Sequence, residues 1–211
     1  MGRGAGKRRV SRPRSPIVGT RAALRVTPPV RAIIFDLDGT LLDSDRALVD
    51  AFVRCGIAAE SVTFGHLITD ECARLGIPVE TYVAAYDPSD VQPFDGVEDM
   101  LRDVPRWAVA SHKDREVGRA ELAARGWKPE VAYFAQDFGG AKRLDVVLDA
   151  LGVGGDDVVF VGDTAHDRLA ARNAGVRFVA AGWNARCDIL EGDLVARHPS
   201  DLSDYLGHLG I

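Results

Sequence analysis

An α/β fold, a parallel sheet covered by helices on both faces with a small helical insert after its first strand, is the class this sequence predicts. Three observations carry the prediction. Short apolar runs enter polar residues at Ala32–Phe35, Trp107–Ala110 and Val158–Val161; helix-length patterns ending on glycine follow the later runs; and the interval from Ser44 to about Val91 holds helical patterns alone. Strands separated by helices are joined by crossovers, which places the helices on the faces of a parallel sheet.

Order begins near Val30. Ala32–Phe35 is too short for a helix and leads into a glycine turn, so it reads as a buried strand. Helical spacing then covers Asp45–Cys55, stopped by Gly56, Ser61–Leu75, stopped by Gly76, and Val79–Tyr86, started after Pro78. Asp87-Pro88-Ser89-Asp90 returns the chain to the core, and Gly96–Val104 resumes as a helix before the strand Trp107–Ala110. Arg115–Arg125, Ala141–Leu151 and Ala165–Ala174 are helices that end at Gly126, Gly152 and Gly175, residues suited to the left-handed cap that closes a helix. Val158–Val161 is a further strand, and less apolar runs at Val131–Phe134, Phe178–Ala181 and Leu194–Ala196 complete the sheet. The expected organisation is a disordered basic tail at residues 1–29, a core at 30–43 and 92–211, and a helical cap at 44–91.

Composition narrows the setting. The chain has 211 residues, 46% hydrophobic and 27% charged, an ordinary mix for a soluble globular protein. No apolar run approaches the roughly 20 residues needed to cross a bilayer, so no transmembrane helix is expected, and no membrane is expected as a partner. Cys55, Cys72 and Cys187 are widely spaced and form no Cys-x-x-Cys pair, which argues against a disulfide framework or a zinc site and fits a reducing cytoplasm. Residues 1–29 hold eight Lys or Arg and no acid, while the remainder holds 18 basic and 31 acidic residues. The tail reads as an inert extension, with an organelle address or a polyanion contact as alternatives. The acidic body makes nucleic acid an unexpected partner.

Functional groups in such sheets collect at the carboxyl ends of the strands. Asp36, Ser111 and Asp163 each stand there. Asp36-Leu37-Asp38-Gly39-Thr40, directly after an apolar strand, resembles the first motif of the haloacid dehalogenase (HAD) superfamily. Ser111, followed by His112 and Lys113, matches the second motif; Lys142, read as opening a helix, matches the third; Gly162-Asp163-Thr164 with Asp167 matches the fourth. Singly these are a solvated turn, a surface hydroxyl, a surface lysine and acids at a helix start. Together and in order, they extend the resemblance over roughly residues 31–185.

The resemblance implies a Rossmann-like core with a small helical cap, similar to phosphoglycolate phosphatases. It also implies a magnesium-dependent phosphatase acting on a small phosphorylated metabolite. Asp36 takes the nucleophile position, and a carboxylate that accepts a phosphoryl group divides one hard displacement into two easier ones. Asp38 is placed to protonate the leaving oxygen and then to deprotonate water. Mg2+ prefers oxygen ligands. The family's pattern assigns it to Asp36, the Asp38 backbone carbonyl and Asp163, with Asp167 as a direct or outer ligand. Ser111 and Lys142 would hold the phosphoryl oxygens, where transition-state charge collects. Arg143 stands where relatives often have proline, and Gly139-Gly140 precede Lys142, so Arg143 or Lys113 are candidates to share the lysine's role.

Asp38 disfavours dehalogenation, which needs no acid for a leaving oxygen. A sugar phosphomutase and a catalytically silent binding module remain as alternatives. Substrate choice falls to the insert, whose candidates are Arg54, His66, Thr69, Arg74, Tyr82 and Tyr86. His66, Glu71 and Cys72 do not share a helix face and are not expected to hold a metal. His112 and His166 are expected at the rim of the site, and Trp183 as a packing residue.

Overall fold

The computed structural model describes residues 1, 30–63 and 68–203. The expected tail at 1–29 and the candidate His66 therefore lie outside the described residues, Met1 apart. In chain order the elements are β1 (Ala32–Phe35), β2 (Leu42–Asp43), α1 (Ser44–Arg54), α2 (Ile68–Leu75), α3 (Val79–Ala85), β3 (Gln92–Pro93), α4 (Val97–Asp103), β4 (Trp107–Ala110), α5 (Arg115–Ala124), β5 (Ala132–Tyr133), α6 (Ala135–Phe138), α7 (Asp145–Leu151), β6 (Val158–Gly162), α8 (Ala165–Ala174), β7 (Arg177–Ala181) and β8 (Leu194–Ala196).

Six strands form one parallel sheet in the order β5-β4-β1-β6-β7-β8. The chain first builds outward from β1 through β4 to β5, then crosses back to start the other half at β6. β1 is thus the switch point, where a crevice opens at the carboxyl ends of the strands. Register makes that crevice a site: Phe35 pairs with both Val109 and Val161, so the residues after β1, β4 and β6 emerge side by side.

The period-two alternation of the strands sorts their side chains onto two faces. Ile33, Phe35, Val109, Val159 and Val161 pack with Val97, Met100 and Leu101 of α4 and Leu122 of α5. Ile34, Ala108, Ala110 and Phe160 pack with Val147, Leu148 and Leu151 of α7 and Ala170 and Ala171 of α8. These strands are buried on both sides, which is why they read as continuous apolar runs.

Between β2 and β3 the helices α1, α2 and α3 build a separate cluster of Ala51, Phe52, Val62, Cys72 and Tyr82. The antiparallel pairing of β2 with β3, Leu42 opposite Pro93 and Asp43 opposite Gln92, draws the two ends of this segment together. Cys72 is buried and Cys55 and Cys187 are half-buried, all as free thiols. No helix among the described residues is long and apolar enough to cross a membrane.

Two expected helices start later than their spacing predicts. Among the described residues, the Ser61–Leu75 pattern yields a short 3-10 turn at Ala59–Ser61, an extended Val62, and the helix Ile68–Leu75. Here the backbone N–H of Thr63 and its hydroxyl donate to Glu71, a local alternative to helix. The Ala141–Leu151 pattern becomes helical at Asp145, because Gly139 and Gly140 take positive φ and leave Lys142 on an irregular stretch. Lys142 therefore precedes a helix rather than opening one.

Candidate active site

Asp36 is placed by the backbone before any side chain acts, its N–H donating to the Val161 carbonyl at 2.9 Å. Its carboxylate is buried and lies 2.9 Å from the Lys142 ammonium. Lys142 also donates to Asp167 Oδ1 at 2.5 Å. Asp36 Oδ1 meets Lys142 as an ion pair without hydrogen-bond geometry and accepts no hydrogen bond among the described residues. Carboxylate oxygens of Asp36, Asp163 and Asp167 all lie within 4.8 Å of one another. Burial, and then the charge of Asp167, push the Asp36 carboxyl upward against the pull of Lys142. Burial and the charges of Asp36 and Asp167 push Asp163 upward as well. Burial alone would depress the Lys142 ammonium, but Asp36 and Asp167 outweigh it and hold the lysine above its ordinary range.

Asp163 sits after β6, where its Oδ1 accepts from the Thr40 hydroxyl at 3.2 Å and its Oδ2 from the Asn184 amide at 3.2 Å. Asn184 also donates to the Gly39 carbonyl at 2.9 Å, and the Trp183 indole N–H donates to the Thr40 carbonyl at 2.9 Å. The loop carrying Asp38 is thus pinned to the loop after β7. Asp167 is in the first turn of α8, with its Oδ2 accepting from the Thr164 N–H at 3.1 Å and hydroxyl at 2.6 Å. Burial works against its charge, yet Lys142 and Thr164 together hold its carboxyl below the usual range. Both Asp167 oxygens are therefore engaged by protein donors.

Gly39 is required by this packing. Its φ is +76°, and a β-carbon would overlap the Asp163 carboxylate. Gly126, at φ +65° with open space around it, isolates the backbone cost alone. Gly39→Ala is expected to cost turnover at least about tenfold by displacing Asp163, whereas Gly126→Ala should cost only about 1 kcal/mol of stability and no activity. Paired assays and melts check this.

Ser111 is buried at the end of β4, its N–H bonded to the Tyr133 carbonyl. Its Oγ accepts from the Lys113 N–H at 3.2 Å, which leaves the hydroxyl proton to donate elsewhere. Asp38 lies half-buried two residues past Asp36, with Oδ1 2.6 Å from Lys113 Nζ. Lys113 is further bound by the buried Glu121.

The structure thus brings Asp36, Lys142, Asp163 and Asp167 into one cluster and sets Asp38 beside Lys113. Arg143 lies outside that cluster, exposed and paired with Asp145. Of the cap candidates, Arg54 is paired with Asp90, Arg74 with Glu71, and Tyr82 packs 4.6 Å from the Phe52 ring. Those three serve the cap itself. Tyr86 packs against both the cap cluster and the core, and Thr69 is exposed. His112 reaches the Gly140 carbonyl at 3.2 Å and His166 is exposed. The sequence reading missed Asn184 and Glu121, and it named Thr40 within the first motif without giving it a contact of its own.

The donor set fits a hard divalent cation. It is all oxygen, it carries more negative charge than Lys142 neutralises, and its three carboxylates offer oxygens within 4.8 Å of one another.

Comparison with known proteins adds an independent line. Residues 59–181 match the family model described as "Haloacid dehalogenase-like hydrolase", a span that includes Ser111, Lys142, Asp163 and Asp167 but begins after Asp36 and Asp38. A phosphoglycolate phosphatase of Xanthomonas campestris pv. campestris is 32% identical over 190 residues, covering 74% of this chain and 85% of that protein. The pyrophosphatase PpaX of Halalkalibacterium halodurans is 26% identical, covering 84% of this chain and 97% of that one. The fold matches the crystal structure of a HAD-superfamily hydrolase, subfamily IA, variant 1, from Geobacter sulfurreducens, with a TM-score of 0.65, 20% identity and coverage of 84% and 97%.

Proposed function

The chain belongs to the haloacid dehalogenase-like hydrolase family, and from that membership we propose that it is a magnesium-dependent phosphatase of small phosphorylated metabolites that works through an aspartyl-phosphate on Asp36. The observation that carries the reading is the Asp36 carboxylate: buried at the end of the central strand, 2.9 Å from Lys142 and grouped within 4.8 Å with carboxylate oxygens of Asp163 and Asp167. A phosphatase and a pyrophosphatase among the relatives support phosphoryl chemistry.

In the proposed reaction an Asp36 oxygen attacks phosphorus and the bond to the leaving oxygen breaks, with Asp38 giving that oxygen its proton. Water then attacks the aspartyl-phosphate, Asp38 takes its proton back, and inorganic phosphate leaves. Ser111 and Lys142 hold the phosphoryl oxygens throughout, where charge accumulates. Asp36, Asp163 and the Asp38 carbonyl would hold Mg2+, with Asp167 as a direct or outer ligand. When bound, the cation lets an anionic nucleophile approach an anionic phosphate.

The test is phosphate release from a panel of phosphorylated metabolites, phosphoglycolate and sugar phosphates included, with magnesium and after chelation. Stoichiometric phosphate, lost with EDTA and restored by magnesium, is expected. Isomerised sugar phosphate formed faster than free phosphate and activated by a bisphosphate would make the protein a mutase. No turnover at all would make it a binding module.

A further inference from the structure

Lys113 and Glu121 form a buried ion pair that no step above uses. The Glu121 side chain has 0% exposure and that of Lys113 11%, while Asp38 beside them keeps 35%. The Lys113 ammonium lies 2.8 Å from Glu121 Oε1, 2.7 Å from Glu121 Oε2 and 2.6 Å from Asp38 Oδ1.

We propose that Glu121 is a positioning residue, which clamps Lys113 so that Lys113 fixes the Asp38 carboxylate for proton transfer to the leaving oxygen. The inference rests on the proposed role of Asp38. A buried ion pair is weak support for stability, since apolar side chains of similar volume usually serve a core as well. A different use of the pair is direction. A lysine stem turns freely about its bonds, but with both Glu121 oxygens against the ammonium, Nζ is held where another of its N–H groups meets Asp38 Oδ1. Oδ2 accepts no hydrogen bond among the described residues and is the oxygen left to meet the substrate.

The backbone of the same residue serves Ser111. The Lys113 N–H occupies a lone pair of Ser111 Oγ at 3.2 Å. Two groups of the site are thus oriented from one position, and the anchor is a glutamate on the buried face of α5, near Gly118 and Leu122.

The experiment compares kcat/KM for two esters in the full chain with magnesium. One is an alkyl phosphate that the wild type hydrolyses; the other is p-nitrophenyl phosphate, whose leaving group departs without a proton. The ratio kcat/KM reports only the steps up to departure of the leaving group, so a fault in its protonation affects the first ester alone. Asp38→Asn sets the full size of the effect. Lys113→Met with Glu121→Leu, which removes both buried charges together, should lower the alkyl ester about 100-fold and the aryl ester less than about fivefold. Glu121→Gln keeps the volume and one acceptor; read in the same way, it should change the ratio about tenfold and remains a test if the double variant fails to fold. Parallel losses on both esters, or an unchanged ratio, overturn the inference while leaving the phosphatase reading intact. Silence of the wild type on both esters overturns that reading, and this inference with it.

Discussion

Asp36→Asn is expected to reduce phosphate release by at least about 10⁴-fold, the scale on which loss of a covalent nucleophile acts in other hydrolases, while the protein stays folded. The amide has the shape of the carboxylate but no electron pair basic enough to hold a phosphoryl group. Stability should not fall. Three carboxylates share a space of 4.8 Å with one lysine, so removing one negative charge relieves repulsion that burial amplifies. The chelated variant should therefore melt no lower than the chelated wild type. The same change removes a proposed ligand, so the gain in melting temperature on adding magnesium should shrink relative to wild type. Turnover near the wild-type rate would exclude Asp36 as the acceptor. An undiminished magnesium-dependent shift would exclude it as a ligand.

The parts of this architecture written in short-range pattern were legible. Ala32–Phe35 and Trp107–Ala110 have the same bounds as strands and as apolar runs, and Ala165–Ala174 the same bounds as a helix, because buried parallel strands and glycine-capped helices leave local marks. What the sequence concealed depends on the fold. Lys142 looks like the first turn of a helix until Asp36 and Asp167, both distant in sequence, draw it into a buried irregular stretch. Asn184 joins the site only because β7 lies beside β6, and no local spacing marks it. Glu121 had a faint signal: an acid on the stripe of α5 that also carries Gly118 and Leu122. Read alone, it passes for a surface charge, and its partner becomes visible only once Lys113 turns inward. The cap arginines show the reverse. Arg54 and Arg74 are the residue type that binds phosphate, yet both are committed within the insert, to Asp90 and Glu71.

The second large effect is expected from Lys142→Met, which keeps most of the side-chain volume and removes the charge. Lys142 contacts Asp36 at 2.9 Å and Asp167 at 2.5 Å, and both partners are buried. Removing one member of a buried ion pair leaves its partners charged and unsolvated, at a cost of about 3–5 kcal/mol. Here one cation faces two carboxylates, with Asp163 close behind, so the chelated variant should melt well below wild type. Magnesium supplies positive charge to the same acids and should recover part of the loss, giving the variant a larger magnesium-dependent rise in melting temperature than the wild type. Turnover should not recover with it. Lys142 is proposed to stabilise the phosphoryl oxygens in the transition state, and losing one such donor costs about 10²–10³-fold in kcat. The two readouts separate the lysine's roles: stability that magnesium rescues measures charge balance in the acid cluster, and activity that it does not rescue measures transition-state binding. Wild-type stability in chelator would mean that the cluster does not need this charge, and near-wild-type kcat with magnesium would remove Lys142 from the phosphoryl site.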